Sequence, residues 1–178
     1  MKKTVSIVLI FCGLIASGQS LINSSYKNES AEKVLRFECT LPINLNTAWD
    51  LFTKDNKLQK WIAPLAHIEL KTGGFLITNY NKTKSLNDTS SIKLTILSYI
   101  EKELLILKVD LNNNFPSSTR MSDQNLQEVI QFIKIDNDKT KIISSMIGWG
   151  EGEEWDKVYN FFLKGNEWTY QELIKVFK

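Results

Sequence analysis

Apolar and polar residues alternate along several segments of the chain, a pattern typical of β-strands with one buried face. In the first such segment, Val34–Leu41, residues Leu35, Phe37 and Cys39 share one face. Turn residues separate the later segments, among them Gly73 and Gly74, so an antiparallel sheet is predicted. The later segments with this period are His67–Leu70, Phe75–Tyr80, Ile92–Ile100, Leu104–Val109, Leu126–Ile135 and Lys141–Ile147.

Two short helices are predicted between the first strand and the rest of the sheet. Asn44 or Asn46 can cap the first, whose apolar residues are spaced three and four apart. The second starts near Asp55 and ends before Pro64, because a residue that precedes proline disfavours helical geometry. Their apolar residues are Ala48, Trp49, Leu51 and Phe52 in the first helix and Leu58, Trp61 and Ile62 in the second.

The period becomes helical again from about Gly150. One apolar stripe continues in phase across Gly165 and Asn166, so we predict a single long helix, bent at Gly165. The stripe contains Trp155, Tyr159, Phe162, Thr169, Leu173 and Val176. This order of elements predicts an α+β fold in which a curved antiparallel sheet wraps around the C-terminal helix. The long connection Asn112–Asn125 is expected either to be mobile or to cover another part of the domain.

Several short motifs resemble one known family. They are AWDLFT and LQKWIAP in the two short helices, TGGF at the glycine turn, and GWGEGEEWDKVYNFF at the start of the long helix. Together they resemble the Activator of Hsp90 ATPase homologue 1-like family of the START/Bet v 1-like (SRPBCC) superfamily, over roughly Glu32 to Phe177. The resemblance implies a helix-grip fold and a cavity between the sheet and the long helix. Its motifs are packing motifs, so they do not indicate a ligand or a reaction.

The first 18 residues have the order of a secretory signal peptide. Lys2 and Lys3 precede an apolar run, Val5–Ile15, which small residues follow up to Gly18. Because the run is shorter than the ~20 residues of a spanning helix, we predict cleavage after Gly18, export to the periplasm or medium of a bacterium, and no stable membrane insertion afterwards. A retained anchor is the alternative. Residues 19–31 are polar and predict a flexible leader, and residues 32–178 form the domain.

Composition fits one globular domain and excludes a broad nucleic-acid surface. The chain has 178 residues, of which 43% are hydrophobic and 24% charged. The predicted signal carries two of the 22 basic residues and no acid, so 20 basic and 20 acidic residues remain. A neutral mature protein lacks the basic excess that phosphate backbones require. Cys39 then has no partner for an internal disulfide and is expected to be a small buried residue. The oligomeric state is not indicated.

Few residues point to catalysis or metal binding. His67 is the only histidine, and no acids accompany it at ligand spacing, so no metal and no cofactor are predicted. Glu151, Glu153 and Glu154 are explained by the helix dipole at the start of the long helix. The alternative is that one of them enters the concavity of the sheet as a general acid or base.

Aromatic residues of the long helix either fill the concavity as core or line an open pocket. The resemblance favours the pocket, with Trp155, Tyr159 and Phe162 on the helix side. Opposing wall positions, chosen by alternation within their strands, are Trp61, Phe75, Phe132 and Met146. An error of one residue in a strand would move such a position to the other face.

The favoured function is therefore that of an exported, non-enzymatic protein that binds a small hydrophobic or amphipathic ligand. Two alternatives stay open. The first is an enzyme that uses the same cavity for cyclisation, dehydration or hydrolysis, with Glu151, Glu154 or Tyr159 facing the void. The second is the cochaperone role implied by the family name, which the predicted signal peptide opposes because Hsp90 and ATP are cytosolic.

Overall fold

The computed structural model describes residues 20–123 and 125–178, which form an antiparallel sheet and a long C-terminal helix. The strands are β1 (Ile22–Asn23), β2 (Tyr26–Lys27), β3 (Lys33–Leu41), β4 (Leu65–Ile68), β5 (Phe75–Asn79), β6 (Ile92–Ile100), β7 (Leu104–Val109), β8 (Gln127–Lys134) and β9 (Thr140–Ile147). The helices are α1 (Leu45–Thr53), α2 (Asp55–Leu58), α3 (Ser117–Ser122) and α4 (Glu153–Lys175). This arrangement confirms the α+β helix-grip fold.

Strands β4 to β9 form a simple antiparallel meander, and β3 pairs with β9 at its end. The order of the whole sheet is β1-β3-β9-β8-β7-β6-β5-β4, with β2 also paired to β3. The predicted signal peptide, residues 1–18, lies outside the described residues. Within the described part of the chain, no helix is long and apolar enough to cross a membrane.

Helix α1 begins where the sequence predicts a cap. The Asn44 side-chain oxygen accepts a hydrogen bond from the backbone N–H of Thr47 at 2.9 Å, which satisfies a donor that the helix itself leaves unpaired. Its inner side chains include Trp49 and Phe52, which both pack against Phe132 of β8. One end of the concave face is therefore filled by α1.

Helix α4 is one continuous element through Gly165, as predicted. Its buried residues are Trp155, Val158, Tyr170, Leu173 and Ile174. The buried side of α4 differs from the predicted stripe near the C-terminus: Leu173 is buried as predicted, but Val176 follows the helix and is exposed.

In the segment predicted as a flexible leader, 19–31, residues Ile22–Asn23 and Tyr26–Lys27 form two short strands of the sheet. Strands β1 and β2 pair with β3, and the backbone N–H of Ser24 donates to the carbonyl of Arg36 at 2.9 Å. The side chains of both short strands are exposed, so no apolar alternation marks them in the sequence. Their stability comes from pairing with the edge of β3, which the sequence pattern does not reveal.

The connection Asn112–Asn125 contains a helix, α3, that was not predicted. Phe115, just before α3, stacks on Phe162 of α4 with ring centroids 5.6 Å apart. At the other end, Ser122 accepts a hydrogen bond from the indole N–H of Trp155 at 3.1 Å. The described residues of this connection therefore cover part of α4, which was one of the two expectations.

Candidate functional site

A cavity of about 350 Å³ lies between the inner face of the sheet and helix α4. Its walls are mostly apolar, and its size falls in the range typical of small-ligand pockets. The sheet wall includes Leu76, Thr78, Leu94, Leu105, Leu107, Ile130 and Met146. The other walls are Phe52, Leu58 and Trp61 near α2 and Phe162, Gly165, Asn166, Thr169 and Tyr170 on α4.

Strand alternation brings a carboxyl group to the same inner face. Glu128 of β8 is two residues from Ile130, and the sheet register places it opposite Leu107 of β7 and Met146 of β9. All four side chains line the cavity. Glu128 is half-buried and lines the cavity.

Two hydroxyl groups hold one oxygen of this carboxyl. Oε1 of Glu128 accepts a hydrogen bond from Ser144 Oγ at 2.6 Å and from the Tyr170 hydroxyl at 2.9 Å. Burial raises the pKa of Glu128, and the two hydrogen bonds oppose this rise. Burial and the neighbouring Glu128 raise the pKa of Tyr170 well above its ordinary value, so this phenol stays protonated. The three residues form a hydrogen-bonded cluster, Ser144–Glu128–Tyr170, in which both hydroxyl groups donate to the same carboxyl oxygen.

The cavity opens at a rim of aromatic side chains. Tyr80, Phe161 and Trp168 line it and are 48%, 57% and 49% exposed. The rings of Tyr80 and Trp168 are 6.1 Å apart. Since these side chains reach both the surface and the cavity, they mark where the cavity opens to solvent.

Three of the seven predicted site residues line this cavity. The cavity wall contains Trp61, which follows α2, Met146 of β9 and Phe162 of α4. Trp61 is held in place because its indole N–H donates to the carbonyl of Leu51 at 3.0 Å. The helix side and the strand side of the predicted pocket therefore do meet.

Phe75 and Phe132 do not line the cavity. Phe75 lies on the outer face, where its ring is 5.9 Å from the ring of His67 and Lys93 lies over it. Its neighbours Leu76 and Thr78 face inward instead, so the predicted face of β5 was off by one residue. Phe132 does face inward, but α1 covers it.

Trp155 and Tyr159 also lie away from the cavity. Trp155 is buried beside α3. Tyr159 packs against Trp149 with ring centroids 4.9 Å apart, and Lys33 lies over its ring. Both residues precede the part of α4 that spans the cavity, which begins at Phe161.

The acids that the enzyme alternative would place in the concavity lie elsewhere. Glu151 and Glu154 are exposed before and in the first turn of α4, and Glu154 contacts Ser118. Their place is taken by Glu128 and Tyr170, which the sequence reasoning missed. A signal for Glu128 was present, because it is in phase with Ile130 and Phe132 within a predicted strand.

His67 and Cys39 have local roles. The imidazole Nδ1 of His67 is 2.7 Å from Asp55 Oδ2, at the surface. Burial raises the pKa of the Cys39 thiol to about 12, which makes this side chain unreactive. In residues 20–123 and 125–178, no group of three His, Cys, Asp or Glu side chains is placed to hold a metal ion.

Comparison with known proteins identifies the fold. No family model and no curated protein matches the chain. Among solved structures, a conserved protein of unknown function from Enterococcus faecalis is 15% identical, with a TM-score of 0.60 over 86% of this chain and 75% of that one. The Aha1 dimer from Colwellia psychrerythraea is 13% identical, with a TM-score of 0.57 over 81% and 92%.

An HSP90 activator from Plasmodium falciparum is also similar, at 14% identity and a TM-score of 0.53 over 74% of this chain and 88% of that one. The chain has the fold of the Aha1-like structures. At these identities the likeness is one of fold alone, so the resemblance noted in the sequence is confirmed at that level. The activities of these proteins are not transferred by it.

Proposed function

We infer that this protein binds one small, mostly apolar ligand in the cavity between the sheet and α4. The observation that supports this most is the cavity itself, about 350 Å³ with apolar walls and an aromatic entrance. Binding sites of this kind combine an apolar lining with a few placed polar groups. Here the polar groups are those of the Ser144–Glu128–Tyr170 cluster, which would orient an amphipathic molecule.

Gly165 offers a way to block this cavity without damaging the fold. It lies in the middle of α4 and lines the cavity, and a Cβ added there meets no atom within 4 Å. A larger side chain at this position therefore projects into open space. Glycine inside a helix also costs about 0.5–1 kcal/mol relative to alanine, so its replacement stabilises the helix.

The experiment compares Gly165→Leu with Gly165→Ala. Native mass spectrometry of the protein purified from its own host detects a co-purifying molecule, and a thermal-shift screen tests isoprenoids, fatty acids, amines and aromatic metabolites. Both variants should melt at or above the temperature of the unchanged protein, while only the leucine variant loses ligand. Binding that is equally strong in the leucine variant would place the ligand elsewhere.

Export is the second part of the proposed function. It is supported by the order of charged, apolar and small residues in positions 1–18. The intact mass of the protein recovered from the periplasm or medium should correspond to a chain that begins at Gln19. Recovery of the uncleaved chain from the cytoplasm would contradict export.

A catalytic use of the same cavity is a second candidate. It is favoured by the contact between Glu128 and Tyr170, because a carboxyl group with a raised pKa inside a cavity can act as a general acid or base. A captured ligand should then be converted, as followed by its NMR spectrum and mass, during incubation with the protein and with Glu103→Gln, but not with Glu128→Gln. A ligand whose spectrum and mass stay unchanged in all three samples removes this candidate.

A further inference from the structure

The cavity has a single charged residue in its lining. Of the described side chains that surround it, Glu128 alone is an acid, and no Lys, Arg or His is among them. The ion pairs found within the described residues do not include Glu128. A carboxylate in apolar surroundings is costly unless it is paired, so this group lacks the partner that would compensate its charge.

The two oxygens of Glu128 are not equivalent. Oε1 already accepts from Ser144 and Tyr170, whereas no donor among residues 20–123 and 125–178 contacts Oε2. Oε2 is not fully buried, and Glu128 lines the cavity. One lone acceptor therefore remains available to a bound molecule.

We propose that the ligand is a small apolar amine, whose protonated nitrogen donates to Oε2 of Glu128 while its hydrocarbon part occupies the apolar walls. This inference rests on the proposed function and assigns its ligand class. A cationic donor compensates the charge of the carboxylate, and charge-assisted hydrogen bonds are about twice as strong as neutral ones. A fatty acid or another anion would bring a second negative charge to the same place.

Aromatic rings near the cluster favour the same class of ligand. Trp61 and Tyr170 have ring centroids 6.0 Å apart, and both line the cavity with Phe162. The faces of such rings attract cations, with Trp the strongest. A protonated amine beside Glu128 would therefore meet both a carboxylate and aromatic rings, which neither an alcohol nor a carboxylic acid can use equally.

The test uses three probes with one carbon skeleton, 4-phenylbutylamine, 4-phenylbutan-1-ol and 4-phenylbutanoate, titrated by calorimetry at pH 7. The amine should bind about tenfold or more tightly than the alcohol, and the acid most weakly. Glu128→Gln should weaken amine binding by about tenfold and change alcohol binding little. Glu103→Gln removes the same charge from an exposed position and should change neither.

The outcomes separate this inference from the proposed function. Binding of the alcohol or the acid as tightly as the amine overturns the amine assignment and leaves a ligand-binding cavity. Failure of all three probes, together with no co-purifying molecule in native mass spectrometry, overturns the proposed function itself. The comparison of head groups uses the unchanged protein, so it remains decisive even if Glu128→Gln does not fold.

Discussion

Strand β8 meets different partners at its two ends on the concave face of the sheet. Phe132 packs edge-on against Trp49 and Phe52, with ring centroids 5.1 Å apart in both pairs. Four residues earlier, Glu128 borders the cavity beneath α4. The same inward alternation thus produces a closed core under α1 and an open site under α4, so the covering helix decides what an inward residue becomes.

The largest expected effect is on the free energy of unfolding, when a phenylalanine from each of these two regions is replaced by alanine. Phe132→Ala should lower the free energy of unfolding by about 3–5 kcal/mol, because it leaves a hole in a packed aromatic cluster. Phe162→Ala should cost clearly less, since one side of this ring already faces the cavity and lacks packing partners. Urea denaturation of the two variants measures both values.

Equal losses of stability for Phe132→Ala and Phe162→Ala would break the comparison. They would mean that the space under α4 is packed as tightly as the cluster under α1. An unchanged slope of unfolding free energy against urea is required for the two values to be compared.

A smaller expected effect on the free energy of unfolding comes from the titration of Glu128. Its pKa is raised by burial, so the folded protein binds this proton more tightly than the unfolded chain does. The associated stability is complete below the ordinary value near 4.5 and is lost as the pH rises through the pKa of the folded protein. A tenfold difference in proton affinity between the folded and the unfolded protein corresponds to about 1.4 kcal/mol.

Glu128→Gln should therefore be more stable than the unchanged protein at neutral pH, with a margin that shrinks as the pH falls toward about 4.5. Thermal melts across this pH range measure the difference in stability between the two proteins, since 1 kcal/mol corresponds to a shift of about 2–4 °C in melting temperature. Glu103→Gln is the matched control and should show no such dependence. A margin for Glu128→Gln that does not vary with pH would show that Glu128 titrates normally.

The smallest expected effect on stability comes from a change in α1, the helix that covers the closed core. Asn44→Ala removes the cap of α1 and should cost about 1 kcal/mol of stability. Because α1 contacts Phe132 and contributes only Phe52 to the cavity wall, amine binding measured by calorimetry should change little. A weaker affinity in this variant would indicate that the two regions are coupled.

Long periodic segments were predictable from the sequence. Strands β3 to β9, the Asn44 cap and the continuity of α4 through Gly165 each have a local signal, either alternation, a capping residue or a helical stripe. Helix α3 has no such signal, because six mostly polar residues cannot form a stable helix alone. It forms where Phe115 and Ser122 contact α4.

The residues that line the site were only partly predictable, for two physical reasons. Both faces of β5 carry apolar side chains, so alternation alone did not show that Leu76 rather than Phe75 faces inward. Glu128 occupies an inward position in an otherwise apolar series, and only the contacts with Ser144 and Tyr170 explain its presence there.

Local periods in the sequence determined the longer strands, β3 to β9, the helices α1, α2 and α4, and the order in which these elements follow one another. The tertiary structure decided which inward residues became core and which became cavity wall. The physical reason is that a side chain on the concave face is buried by whatever element lies across from it. That element is distant in the chain, as Tyr170 is from Glu128, so no local pattern records the pairing.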